Sequence, residues 1–316
     1  MHRYFIYILP FFILKTAVGQ FAPAVGQPGT SAIHKDSSII INWVKYCTVS
    51  RGPQDISMLS NGNASIGSES NVVGVADGIS SISLGDGGSV ICEFAYTIKD
   101  DAGPDFAVFE NSFVDYFLEL AFVEASSDGI HYFRFPASSL TDTSEQVGTF
   151  DSLLCTLIHN LGGKYVANYG TPFDISELPD TALLDKQNIR YIKVIDVIGS
   201  IQAAYCSRDA QGRKINDPWP TPFPTGGFDL EAIAVMHQNI ESGIRKTDAD
   251  GLFLYRDYSN ETLNIIGAKL GQSLSIFDLS GHKIMESSYN GNIDISGICS
   301  GAYILRFENK NIRFIK

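Results

Sequence analysis

From residue 82 to residue 237 the chain breaks into short runs of β-branched and aromatic residues, each closed by glycine, aspartate or proline. The runs over 82–84, 89–96, 105–109, 117–126, 132–135, 190–197 and 230–237 have strand length, and 38–49 reads as the first strand. Turn chemistry separates several of them, as in Gly85-Asp-Gly-Gly, Asp100-Asp-Ala-Gly-Pro and Ser127-Asp-Gly. Residues 20–38 read as an extended Pro/Gly/Ser arm and 51–80 as loop. Helical periodicity is scarce, with one short helix expected near 151–162. This pattern predicts an all-β chain, an antiparallel β-sandwich or jelly roll over residues 20–238. Polar residues 239–251 read as a linker. A second, smaller unit of alternating strands follows over 252–316.

Composition narrows the classes. Hydrophobic residues make up 44% and charged ones only 18%, which supplies a core and argues against disorder or a coiled coil. The net charge of −12 repels phosphate, so nucleic acid is not an expected partner. Residues 4–14 form an apolar run after a weakly basic start, and small residues Ala17 and Gly19 follow. This layout predicts a signal peptide over 1–19, cut after Gly19. The run is shorter than the roughly 20 residues of a membrane helix. The mature chain is expected to be exported and to lack a transmembrane segment. Its cysteines are Cys47, Cys92, Cys155, Cys206 and Cys299, with no CxxC and no zinc spacing. Cys92 reads as a core residue, and Cys47–Cys206 and Cys155–Cys206 are candidate pairs.

No HExxH, GxSxG, Walker or GxGxxG string is present, so no catalytic residue is assigned. Hard oxygen donors gather around one strand: Asp101, Asp105, Glu110 and Asn111, with Asp229 at a later strand. They suit Ca²⁺, and turn capping by the same side chains is the competing reading. Period-2 alternation puts Glu110 on the face of Phe106 and Val108, where a carboxylate needs a partner. In Asp217-Pro-Trp-Pro-Thr-Pro-Phe-Pro the prolines hold the segment extended and present Trp219 and Phe223. These two, with Tyr205 and Tyr169, are the candidate ligand contacts. The alternative is a stiff loop packed over the end of the sandwich. A secreted glycan hydrolase using separated carboxylates such as Glu110, Glu119 or Asp229 is a second reading, and a non-catalytic surface-layer scaffold a third.

Two resemblances add to this. Ser273-Leu-Ser-Ile-Phe-Asp-Leu-Ser-Gly-His-Lys, then Gly301-Ala-Tyr303, then a short basic last strand ending at Lys316 resemble the type A C-terminal sorting domain of the type IX secretion system of Bacteroidetes-type bacteria. The motif positions are Asp278, Gly281, Lys283, Gly301, Tyr303 and Lys316, with His282 where arginine is usual. The resemblance implies a small Ig-like β-sandwich, the type IX machinery as partner, passage through the outer membrane, and a secreted or surface-attached product. The strings Gly103-Pro-Asp-Phe-Ala-Val-Phe-Glu-Asn and Gly226-Gly-Phe-Asp-Leu-Glu-Ala-Ile resemble a family of secreted bacterial cell-surface proteins. That resemblance implies a galactose-binding-like jelly roll and a ligand such as a glycan or a small nutrient, for example a corrinoid.

Overall fold

The computed structural model describes residues 21–239, 245–247, 252–257, 261–266, 268–299, 301–307 and 310–316. The expected signal peptide and most of the expected linker lie outside these residues. Two antiparallel sheets form the larger part. In the first, Tyr169–Phe173, Phe106–Glu110 and Asp229–Val235 lie side by side, flanked by the short strands Ile33–His34 and Asn42–Trp43. Ile82–Ser83 also pairs with Asp229–Val235. In the second, the order is Tyr46–Ser50, Ser89–Ile98, Ile189–Asp196, Ala121–Ser126, Phe133–Arg134. The strand expected over 38–49 is split between the two sheets, as Asn42–Trp43 and Tyr46–Ser50. Near 151–162 a 3₁₀ turn, Cys155–Leu157, and the short strand Ile158–His159 stand in place of the expected helix. The hydrophobic Leu153 and Ile158 serve a packed cluster rather than a helical stripe.

Alternation explains the core. Val90, Cys92 and Phe94 from one sheet meet Phe106, Val108, Leu230, Ile233 and Val235 from the other in a single buried cluster. The first sheet is buried on both faces. Its outer side carries Ala107, Ala232 and Ala234, small enough for the segment around Trp43 and Ala76 to close over Phe109. Gly170 belongs to this fit, since a Cβ there would stand 2.6 Å from the Phe109 ring.

Cys47 and Cys92 face each other across Tyr46–Ser50 and Ser89–Ile98, on the core side of the sheet. The Cys47 thiol donates to Glu69 O at 3.3 Å, and its presence beside Cys92, with burial, pushes Cys92 well above the ordinary thiol range. In a glutathione redox buffer poised to oxidise, this pair is expected to close. Thiol titration of the denatured protein then gives three free cysteines rather than five. By loop closure the crosslink adds about 4 kcal/mol of stability. A count of five after oxidation would contradict this.

Four-stranded sheets Arg245–Thr247, Leu252–Asp257, Thr262–Ile266, Ile293–Asp294 and Lys283–Ser288, Ser273–Asp278, Ala302–Phe307, Lys310–Ile315 make up the C-terminal part. Arg245–Thr247 is a strand inside the segment read as linker, recruited by pairing with Leu252–Leu254. A separate cluster of Leu263, Ile265, Leu274, Ile276, Leu305 and Phe307 fills this part.

Candidate functional site

Several buried carboxyl groups meet at one end of the large sandwich. Glu110 closes its strand on the inner face, 2% exposed, and its Oε2 has no hydrogen-bond partner. Leu230 lies opposite Glu110, which places Asp229 beside it on the neighbouring strand. Burial pushes Asp229 up to about 6, while the Ser83 hydroxyl and the Arg51 guanidinium act the other way. Glu119 is partly exposed, in the segment leading into Ala121–Ser126. Gly163 fixes that segment: its φ is +78°, and a Cβ there would stand 1.8 Å from the Glu119 carbonyl oxygen. Burial, then the charges of Asp229, Glu110, Asp217 and Asp196, hold Glu119 well above the usual carboxylate range. Glu110 is raised in the same way, by burial and then by Asp229.

Three further carboxylates anchor loops here. Asp217 accepts from Leu120 N at 3.0 Å through one oxygen and leaves Oδ1 unpartnered. Asp196 accepts from Phe228 N at 2.7 Å and Gly87 N at 2.8 Å. Asp86 accepts from Ile56 N at 2.8 Å and from the Trp219 indole at 3.2 Å. Burial raises all three. Arg51 spends its guanidinium on the carbonyls of Ile66, Gly67 and Ser83. Buried negative charge therefore outweighs the positive charge supplied to it. Among the described residues only Asp100, Asp105 and Asp174 bring carboxylate oxygens within 4.8 Å of one another, so the acids at this end share an electrostatic field and form no preformed cation cradle.

The loops these carboxylates hold also carry exposed rings. Phe150, 76% exposed, is 6.1 Å from Phe223 with the planes 24° apart, and 6.4 Å from Phe117. Backbone bonds tie the three loops together: Leu153 N to Tyr116 O at 2.7 Å and Trp219 N to Val147 O at 3.1 Å. The Thr149 hydroxyl adds a bond to Pro220 O at 2.7 Å. Phe113, Tyr116 and Leu154 are exposed on the same loops.

The residues singled out from the sequence fall in different places. Phe223 stands in this platform. Trp219 is 6% exposed and packs beneath it, with Tyr205 6.4 Å away. Tyr169 lies on the strand beside the N-terminal arm and meets His34 edge-on at 4.8 Å. The calcium set is divided, because Asp105 and Glu110 sit at opposite ends of one extended strand, about 16 Å apart along it. Asp105 is fully bonded, to Asp101 N, Ile175 N and the His237 ring. Asp100 and Asp174 approach it, their carboxylate oxygens within 4.8 Å of one another. Asp101 pairs with Lys99 at 2.7 Å. Asn111 donates to the Ser81 hydroxyl at 3.0 Å and stays with the Glu110 end. Nothing in the sequence links Phe117, Phe150 and Asp217, which lie far apart along the chain with no shared spacing.

The sorting-motif residues hold turns and edges of the C-terminal part. Asp278 accepts from His282 N at 2.8 Å, and Gly281 takes φ +86° to close that turn. Lys283 pairs with Glu286 at 2.6 Å. The buried Tyr303 donates to Cys299 O at 2.7 Å and stacks on Phe314. Gly301 and Lys316 exchange backbone bonds, and the Lys316 ammonium donates to the carbonyls of Ser296 and Ile298.

Residues 259–316 match the family model of the secretion system C-terminal sorting domain. The class is thereby set for this end of the chain: a type IX sorting domain. The protein that carries it is secreted or attached to the cell surface, with the type IX machinery as its export partner. Among the described residues no helix is long and apolar enough to cross a membrane. A search of the curated proteins gave no match. Among solved structures, a β-glucuronidase from Ruminococcus gnavus bound to an N1-substituted uronic isofagomine aligns at 12% identity and TM-score 0.22. That alignment covers 88% of this chain and 45% of the enzyme. The same enzyme with D-glucaro 1,5-lactone gives 11% and 0.21, over 87% and 45%. Its apo form gives 11% and 0.22, over 87% and 44%. This chain spans less than half the length of that enzyme, and scores this low carry no argument.

Proposed function

We propose that the exported sandwich is a glycan-binding module, and that a sugar ring rests its C–H face on Phe117, Phe150 and Phe223. The observation that carries this reading is the exposed Phe150 ring, stacked on Phe223 and in tilted contact with the half-buried Phe117, on three loops tied together by hydrogen bonds. Rigid aromatics offer large contact area at low entropic cost. A face this apolar on an exported protein suits a ligand that is flat, neutral and extracellular. The acidic end beneath it, and the net charge of −12, disfavour anionic ligands.

The test is a glycan array probed with the purified full chain. Retention is expected on neutral oligosaccharides, with little change between low and high salt. Binding confined to sulfated or uronic glycans, or to none, would remove the proposal.

The hydrolase reading has one observation in its favour, the electrostatic interaction of Glu119, on the segment before Ala121–Ser126, with Glu110 and Asp229 on two paired strands. Carboxyl groups whose environments push their affinities for protons apart can divide acid and base roles. Glu119→Gln separates the readings: a binding module keeps its ligand and has no turnover to lose.

A further inference from the structure

Beside the strand Tyr169–Phe173, whose Thr171 and Pro172 line it, lies a cavity of about 410 Å³. Ser31, His159, Asn160, Lys164, Thr171, Asp174 and Glu177 line it, with Pro104 and Pro172. Lys164 is 4% exposed. Its ammonium donates to Ile158 O at 2.8 Å and sits 5.6 Å from the Tyr165 ring and 6.0 Å from the Phe21 ring. Among the described residues no carboxylate lies within ion-pair distance of it. The two acids of the cavity are engaged elsewhere. Glu177 is 3.6 Å from the His159 ring and accepts from Asn160, and Asp174 caps a 3₁₀ turn through Ser176 N at 2.9 Å.

A buried ammonium that lacks a counter-ion is costly and is retained where an anion comes to it. Here it is accompanied by hydroxyl donors, Ser31 and Thr171, and by acids at the other side of the lining. We propose that this cavity binds a small carboxylate: the carboxylate pairs with Lys164, and a neutral or cationic remainder lies toward Asp174 and Glu177. A second carboxylate on the ligand would meet those two acids and be rejected.

Proton linkage gives the site its own signature. Burial lowers Lys164 to about 8, opposed by the Cys155 thiol; His159, Tyr165, Asp174 and Glu177 are the other titratable groups around it. A carboxylate beside the ammonium favours the charged form, so binding takes up protons at pH 8 and weakens above it.

The experiment uses the full chain and three probes: 6-aminohexanoate, succinate and n-hexylamine. Calorimetry at pH 8 in two buffers of different ionisation heat should give saturable binding of 6-aminohexanoate with proton uptake. Succinate should bind at least tenfold more weakly and hexylamine not at all. Lys164→Met should abolish binding, and Glu177→Gln should weaken 6-aminohexanoate while relieving the discrimination against succinate. If the first variant fails to fold, the proton uptake of the unmodified protein decides. Binding without proton uptake, no binding of 6-aminohexanoate, or equal affinity for the amine would overturn the proposal.

Discussion

Removing residues 259–316 is expected to abolish the appearance of this protein in the medium and on the cell surface, in a bacterium with a type IX system. The sorting domain is the part that the machinery recognises, and the motif residues build its turns and edges rather than a ligand site. Graded variants follow from the geometry. Gly281→Val places a β-branched residue at φ +86°, a conformation it strongly resists. Lys316→Ala removes the two carbonyl contacts that pin the last strand to residues 296–298. Both should reduce export severalfold without changing the amount synthesised. Immunodetection on intact cells and in cell-free medium reads the outcome. Surface protein at the normal level from the truncated chain would contradict the assignment.

The second large effect is on stability against pH. Glu110, Glu119, Asp196, Asp217 and Asp229 all have proton affinities raised by burial in the fold. A carboxyl that holds its proton more tightly folded than unfolded stabilises the fold fully below its unfolded value, about 4. That contribution is lost as pH rises through the folded value, about 6 for Asp229 and above the usual range for the others. Carboxylates shifted the other way, such as the exposed Asp142 and Asp294, lose their contribution below about pH 4, outside this window. In EDTA the protein should therefore melt lower at pH 8 than at pH 5. Asp229 alone contributes on the order of 1.4 kcal/mol to this fall between pH 5 and pH 8. The double variant Glu119→Gln, Asp217→Asn should flatten the pH profile. A profile that rises from pH 5 to pH 8 in EDTA would refute the account of this cluster.

The strands were legible because burial on one face writes period 2 into the sequence. Ser89–Ile98, Ile189–Asp196 and Asp229–Val235 lie within a residue or two of the expected runs. Glu110 was legible for the same reason, since alternation puts it among Phe106 and Val108. The sorting motif could be read because its glycine and aspartate are demanded by a turn. What could not be read is what folding brings together from afar. Glu110, Glu119 and Asp217 come from three segments with no shared spacing. Phe117, Phe150 and Phe223 come from three loops. The prolines around Trp219 correctly signalled a rigid segment, but not which aromatic would face outward. That choice is made by Asp86, which holds the indole inward.

The claim at the centre of this account is that the loop end of the sandwich is a binding surface. The most direct measurement is the affinity of the full chain for its best neutral oligosaccharide, compared with Phe150→Ala. Phe150 is 76% exposed, so its removal leaves the fold intact. Loss of one stacking ring, worth about 1.4 kcal/mol, corresponds to roughly tenfold weaker binding. Phe223→Ala should weaken binding to a similar extent, with the melting temperature of both variants unchanged. Undiminished affinity in both would place the ligand elsewhere and contradict the assignment of this surface.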